Sequence, residues 1–162
     1  HIRGYFAGGE GTGQAPNTQN KNITIKGFAN NSESLNFGEL SQQGKRGAGV
    51  GSHTRGVFII GGIAASPEAF SNIIEFITLT TSGEVTDFGD ATSNTGHINN
   101  NSASNTIRGV YHNARTSDGG TNLNTLEFIT IATTGNATDF GDLNYAANSG
   151  CGLSDSHGGL PL

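Results

Sequence analysis

The sequence predicts an all-β protein built from three copies of one unit of about 52 residues. Three observations lead there. Glycine (26 residues), asparagine, threonine and serine make up nearly half of the 162 residues. Glycine loses the most backbone entropy in a helix, and the short polar side chains compete for its hydrogen bonds, whereas short strands joined by turns accept both. An Arg-Gly step followed by apolar residues recurs at Arg3-Gly4-Tyr5-Phe6, Arg55-Gly56-Val57-Phe58 and Arg108-Gly109-Val110-Tyr111, at spacings of 52 and 53. A Phe-Gly-acid step recurs at Phe37-Gly38-Glu39, Phe88-Gly89-Asp90 and Phe140-Gly141-Asp142, at spacings of 51 and 52. Two independent anchors that agree within one residue mark an internal repeat. The units are 3–54, 55–107 and 108–158 of a single repeat domain, 1–162.

Each unit reads as about four strands. The Arg-Gly strand comes first, as in Arg55 to Ile60, and ends at Gly61-Gly62. The next, Ile74 to Thr80, is rich in β-branched and aromatic residues, and its Glu75-Phe76-Ile77-Thr78 returns as Glu127-Phe128-Ile129-Thr130. A turn at Ser82-Gly83 or Thr134-Gly135, where glycine supplies a positive φ, leads into Val85 to Phe88 or Ala137 to Phe140. The fourth strand is small and polar: Gly44 to Ser52, Gly96 to Ser104 and Asn148 to Ser154. Pro67 to Ser71 has the composition of one helical turn. The first unit is worn, keeping Ile23, Ile25, Phe28 and Phe37 at equivalent places and lacking the Thr-Thr-Gly type of turn.

Composition narrows the function classes. Charged residues are only 13% of the chain, and nine Phe and three Tyr recur at fixed places, which argues for a folded chain over a disordered one. The net charge is −5 and the five Arg and three Lys form no run, so the clustered cations of a nucleic-acid footprint are missing. No stretch approaches the roughly 20 apolar residues that span a bilayer, so membrane insertion is not expected. Cys151 is the lone cysteine, which leaves no intrachain disulfide, and its small-residue setting predicts a buried filler.

The repeats resemble kelch-type repeats, whose unit is a four-stranded propeller blade of about 50 residues. That family's diglycine is matched by Gly8-Gly9 and Gly61-Gly62, its aromatic-acid position by Glu75-Phe76 and Glu127-Phe128, and its later aromatic by Phe37, Phe88 and Phe140. The chain departs from the pattern in having no Trp, and in Asn113-Ala114 where the third diglycine belongs. A closer resemblance is to the Arg-Gly-Val-Phe and Phe-Ile-Thr-Ile-Ala-Thr-Thr-Gly-Asn-Ala-Thr-Asp-Phe-Gly-Asp repeats of marine cyanobacterial phages, found in long tail-fibre-like and other structural proteins. Arg108 to Leu143 carries it most fully, and it covers nearly the whole chain. It implies a place on the virion surface, outside the cell. Three blades would leave two exposed edges where propellers close with about 4–8 blades. The expectation is therefore a homo-oligomer, such as two chains making six blades, or a fragment of a longer array of the repeat. The alternative architecture is a three-fold β-trefoil or β-prism.

The repeated residues are the candidate sites. Arg3, Arg55 and Arg108 can grip sugar hydroxyls or carboxylates bidentately, or pair with a neighbouring unit's acid such as Asp90 or Asp142. Their presence in every unit favours the structural role, as it does for Phe37, Phe88 and Phe140. Asp87, Asp90, Asp139 and Asp142 could offer oxygen to calcium, but no calcium-loop pattern accompanies them, and solvated turn acids or arginine partners are expected. Gly47-Ala48-Gly49-Val50-Gly51 lacks the pattern of a phosphate loop and reads as the thin inner strand of a blade. His1, His53, His97, His112 and His157 are scattered, and no hydrolase or zinc motif occurs. No catalytic residue, metal or cofactor is assigned. The expected function is a non-enzymatic structural or recognition module of a virus particle, a tail fibre, spike or capsid decoration, that mediates assembly or attachment to a host cell-surface glycan. The alternatives are a secreted carbohydrate-binding lectin and, behind it, a propeller enzyme.

Overall fold

The repeat pattern becomes three antiparallel sheets in the computed structural model, which describes residues 3–11, 20–29, 33–63, 69–81, 83–95, 98–116 and 120–154. Among these residues there is no helix, and the sheets curl into a half-barrel. The first unit holds β1 (Arg3–Ala7), β2 (Asn22–Gly27) and β3 (Leu35–Glu39). Next come β4 (Gly44–Lys45) and β5 (Ala48–Gly51), then β6 (Arg55–Ile59), β7 (Gly62–Ile63), β8 (Ala69–Thr78) and β9 (Thr86–Thr95). The third unit holds β10 (Ser102–Ser104), β11 (Arg108–His112), β12 (Leu123–Thr130) and β13 (Thr138–Ala147). The sheets run β1-β2-β3, β5-β6-β8-β9 and β10-β11-β12-β13, with β4-β7 extending the middle one along the outer half of β8.

Two expectations change. The small polar strand does not close its own unit. β5 pairs with β6 and β10 pairs with β11, so each opens the sheet of the following unit, and Asn148 to Ser154 forms no strand. The reason is local: the Gly-rich segment reaches the next Arg-Gly strand through a short turn, and antiparallel neighbours joined by short turns pair most readily. Ala69 to Ser71 belongs to β8 rather than to a helical turn; Pro67 lies outside the described residues.

The core forms between sheets. Alternate residues of a strand face opposite ways, and the middle unit, covered on both sides, uses both faces. Val57, Ile59 and Ile74 pack with Phe88, Ile129 and Ile131 of the second joint. Phe58, Ile60 and Ile77 pack with Ile23, Phe37 and Leu40 of the first. We call the face turned toward the preceding unit the front and the opposite one the back. This two-sided burial explains why Val57 to Ile60 is apolar at every position.

The Phe-Gly-acid anchor is a β-bulge. The register slips between Ile23 and Thr24, between Ile74 and Glu75, and between Leu126 and Glu127, the same place in all three units. Ile74 faces Gly89 and Glu75 faces Asp87, so Phe88 is the extra residue. A bulge re-aims a side chain and bends its strand. Each bulged Phe meets an aromatic ring of its own unit edge-on: Phe37 with Tyr5 at 5.1 Å, Phe88 with Phe76 at 6.1 Å and Phe140 with Phe128 at 5.5 Å.

Candidate functional site

The most elaborated features of the molecule are its two joints, and they are made alike. The turn after β8 lies along β3: the Gly83 amide donates to the Phe37 carbonyl at 3.2 Å and the Val85 amide to that of Glu39 at 3.4 Å. The turn after β12 repeats this on β9, with Gly135 donating to Phe88 at 2.7 Å and Ala137 to Asp90 at 2.8 Å. These bonds cover what would otherwise be a bare strand edge. Backbone meets backbone so closely that a side chain has no room. A Cβ on Gly38 would overlap the Gly83 carbonyl, and one on Gly89 would lie 2.5 Å from that of Gly135. The turn glycines Gly83 and Gly135 have φ of 152° and 154°, the positive values that the turn requires.

Of the three repeated arginines, Arg55 serves a joint. Arg55 stacks on Phe76, 4.4 Å from the ring centroid, and its Nη1 donates to the carbonyls of Ile131 and Ala132 in the next unit, at 3.1 and 2.9 Å. Arg108 stacks likewise on Phe128 at 4.8 Å. At the first joint the corresponding carbonyl, that of Leu79, is held by the Tyr5 hydroxyl at 2.9 Å, and Arg3 is exposed. No ion pair joins any of the three to Asp90 or Asp142 among the described residues; Arg55 meets carbonyls and a ring, and Arg108 a ring. Carbonyl oxygens at a turn satisfy the planar donors without requiring a second buried charge.

A buried glutamate completes each joint. The Ser41 amide donates to Glu75 Oε2 at 3.3 Å. At the equivalent place the Thr92 amide and hydroxyl donate to Glu127, at 3.2 and 2.6 Å. Glu127 is fully buried and also accepts from the Tyr111 hydroxyl at 2.6 Å and from Asn113 Nδ2 at 3.0 Å. A buried carboxylate is tolerated only when so fully bonded. Burial and the adjacent carboxylate push the Tyr111 phenol well above the ordinary tyrosine range. Here the departure from the diglycine pattern finds its reason. Asn113 also donates to Ser93 at 3.0 Å, so it ties both sides of the second joint.

The remaining candidates lie elsewhere. Asp87, Asp139 and Asp142 are exposed and Asp90 is half-buried; Asp139 accepts from the Gly141 amide two residues on, at 3.0 Å. Among the described residues no three metal-ligating side chains cluster. His112 is buried, with Nε2 on the Leu123 carbonyl at 3.0 Å and Nδ1 on the Asn101 amide at 2.9 Å. Both ring nitrogens are thus held by neighbours, which makes His112 a fixed strut. His1, His97 and His157 lie outside the described residues. Gly47 to Gly51 contributes β5, whose Val50 fills the space over Gly109. Cys151 is exposed, correcting the expectation of a buried filler, because the segment around it joins no sheet.

The first joint also contains a cavity of about 290 Å³, lined among others by Tyr5, Phe58 and Ile60 with Lys45, Arg46 and Asn100. It lies at Gly8-Gly9, where the Gly9 amide donates to Gly44 at 2.9 Å. None of the glutamate-centred clasp was singled out from sequence as a joint; the signal available was the return of Glu75 as Glu127 inside an apolar run. Compared with known proteins, the chain matches no family model, and no curated protein is significantly similar to it.

Proposed function

We propose that this chain is a non-enzymatic structural and recognition module, a run of stacking repeats within a virus-particle component such as a tail fibre, spike or capsid decoration. The observation that carries the reading is the duplicated joint. Turn amides, a bulged Phe, a close-packed Gly and a buried Glu recur at the same spacing, so the sequence specifies unit-to-unit assembly at every period. The kelch-like blade assignment belongs to the same reading, supported by the four-stranded meanders of the second and third units. The virion placement rests on the resemblance of Arg108 to Leu143 to phage structural repeats. Antibody raised against the purified chain should decorate virions of the phage that encodes it, in electron micrographs. Undecorated particles, with no peptides of the chain in their mass spectra, would exclude the role.

A second reading, a carbohydrate-binding lectin, is favoured by the cavity at the first joint, where Tyr5 and Phe58 supply apolar surface beside polar Asn100 and Lys45. A glycan array distinguishes the two: millimolar or tighter binding that Tyr5→Ala abolishes would promote it.

A further inference from the structure

We infer that the outer face of the third unit docks the first unit of a second copy of this chain, giving head-to-tail association. The inference rests on the stacking-repeat reading and adds the faces, the residues and the polarity.

Both internal joints show what covers the back of a unit. Apolar side chains of the next unit's central strand and turn, Ile77 and Leu79 at the first joint and Ile129 and Ile131 at the second, pack against it. A turn amide reaches the carbonyl of the bulged Phe. A hydroxyl or guanidinium donates to the carbonyl of Leu79 or Ile131. The third unit has the receiving parts, and among the described residues no unit lies against them. Phe140 is 47% exposed where Phe37 and Phe88 are 8% and 2%. A Cβ on Gly141 would meet nothing within 4 Å, where one on Gly38 or Gly89 strikes the following turn. Arg108 holds the stacked pose of Arg55 without the carbonyl acceptors.

Among the described residues the front face of the first unit is uncovered. Phe28, at the place of Leu79 and Ile131, is 71% exposed, and Phe6, at the place of Phe58 and Tyr111, is 59% exposed. The two ends thus show apolar side chains at the positions which the internal joints bury, and the two faces are complementary halves of one joint. Such an interface is heterologous, so it propagates into open chains or rings rather than closing as a symmetric pair. Lys26 stands where Ile77 and Ile129 stand, and Thr24 where Glu75 and Glu127 stand. The joint between copies lacks the glutamate clasp and is reversible.

Sedimentation velocity of the full chain, from about 1 µM to about 500 µM, tests this in the range of weak specific interfaces. The sedimentation coefficient should climb with concentration past that of a dimer. Phe140→Asp on the back and Phe28→Asp on the front should each weaken association by about thirtyfold or more, as loss of a central anchor does. Mixed in equal amounts, the two variants retain one intact front and one intact back, and should form a 1:1 dimer that grows no further. A wild-type chain that stays monomeric throughout, a mixture that stays monomeric, or single variants that assemble like wild type would each overturn the inference. Circular dichroism verifies that both variants fold; should Phe140→Asp fail, Arg108→Glu replaces it on the same face. A monomeric chain that nonetheless decorates virions loses this inference and keeps the structural role, and a head-to-tail chain absent from virions does the reverse.

Discussion

The strands β9 and β13 carry the same words, Thr-Asp-Phe-Gly-Asp, with the same bulge and the same ring partner, yet one is interior and the other is surface. Phe88 is 2% exposed and Phe140 is 47% exposed. Ala91 is buried, and Leu143 at its place is half-buried. The difference lies in whether a described unit packs on the strand. The local code builds a bulged strand with a projecting Phe; burial of that Phe is supplied by the neighbour. In a protein whose units contact mainly their neighbours, stability is a sum of unit and joint terms, and among the described residues the back of the third unit lacks a joint term.

Paired substitutions sharpen that comparison. Phe88→Ala opens a hole in the second core and should cost about 4 kcal/mol, while Phe140→Ala should cost about 1 kcal/mol; chemical denaturation of both variants measures the gap, and equal losses would erase the distinction. Gly89→Ala forces a Cβ into the Gly135 carbonyl at a φ of 144° and should cost about 3 kcal/mol. Gly141→Ala meets open space and bears only the strain of its φ of 101°, about 1 kcal/mol. Thermal unfolding separates the two.

Alkaline pH addresses the second joint in another way. The Tyr111 phenol is raised in the folded state and ordinary, near 10.0, in the unfolded chain. Its contribution is therefore complete below pH 10 and is lost as pH rises, because only the unfolded chain releases the proton. Stability should fall by about 1.4 kcal/mol per pH unit above that point, and Tyr111→Phe should remove this component; an unchanged slope in the variant would place the dependence elsewhere. The smallest contrast is between the arginines. Arg55→Ala loses two carbonyl bonds and a stacked ring, about 1.5 kcal/mol, and Arg108→Ala only the stacked ring, about 0.5 kcal/mol. Parallel urea titrations compare them.

Much of the unit was legible along the chain. The spacing of Arg55 and Arg108 and of Phe88 and Phe140 delimits the repeat, the run around Phe76 marks the central strand, and Gly83 and Gly135 mark the turn with positive φ. These are short-range signals, in which neighbouring residues decide the conformation. The glutamates were legible as repeated letters but not as a joint, because a charged residue in a strand reads as solvent-facing until its donors, Ser41 or Thr92, arrive from another unit. The arginines were misdirected for a related reason: acids attract attention in a sequence, whereas the carbonyls of Ile131 and Ala132 are invisible there.

By itself the sequence determined the all-β class, the three-fold period and the places of the Arg-Gly, central and Phe-Gly strands, since backbone preference and hydrophobic alternation act over a few residues. Only the tertiary structure decided that the polar strand opens the next sheet, that the Phe-Gly-acid step is a bulge, that Glu127 is buried, and that Phe140 faces out where Phe88 faces in. The first two depend on which strand edge is free to pair, the last two on hydrogen bonds and packing supplied by a neighbouring unit, and no local pattern encodes which partner is present.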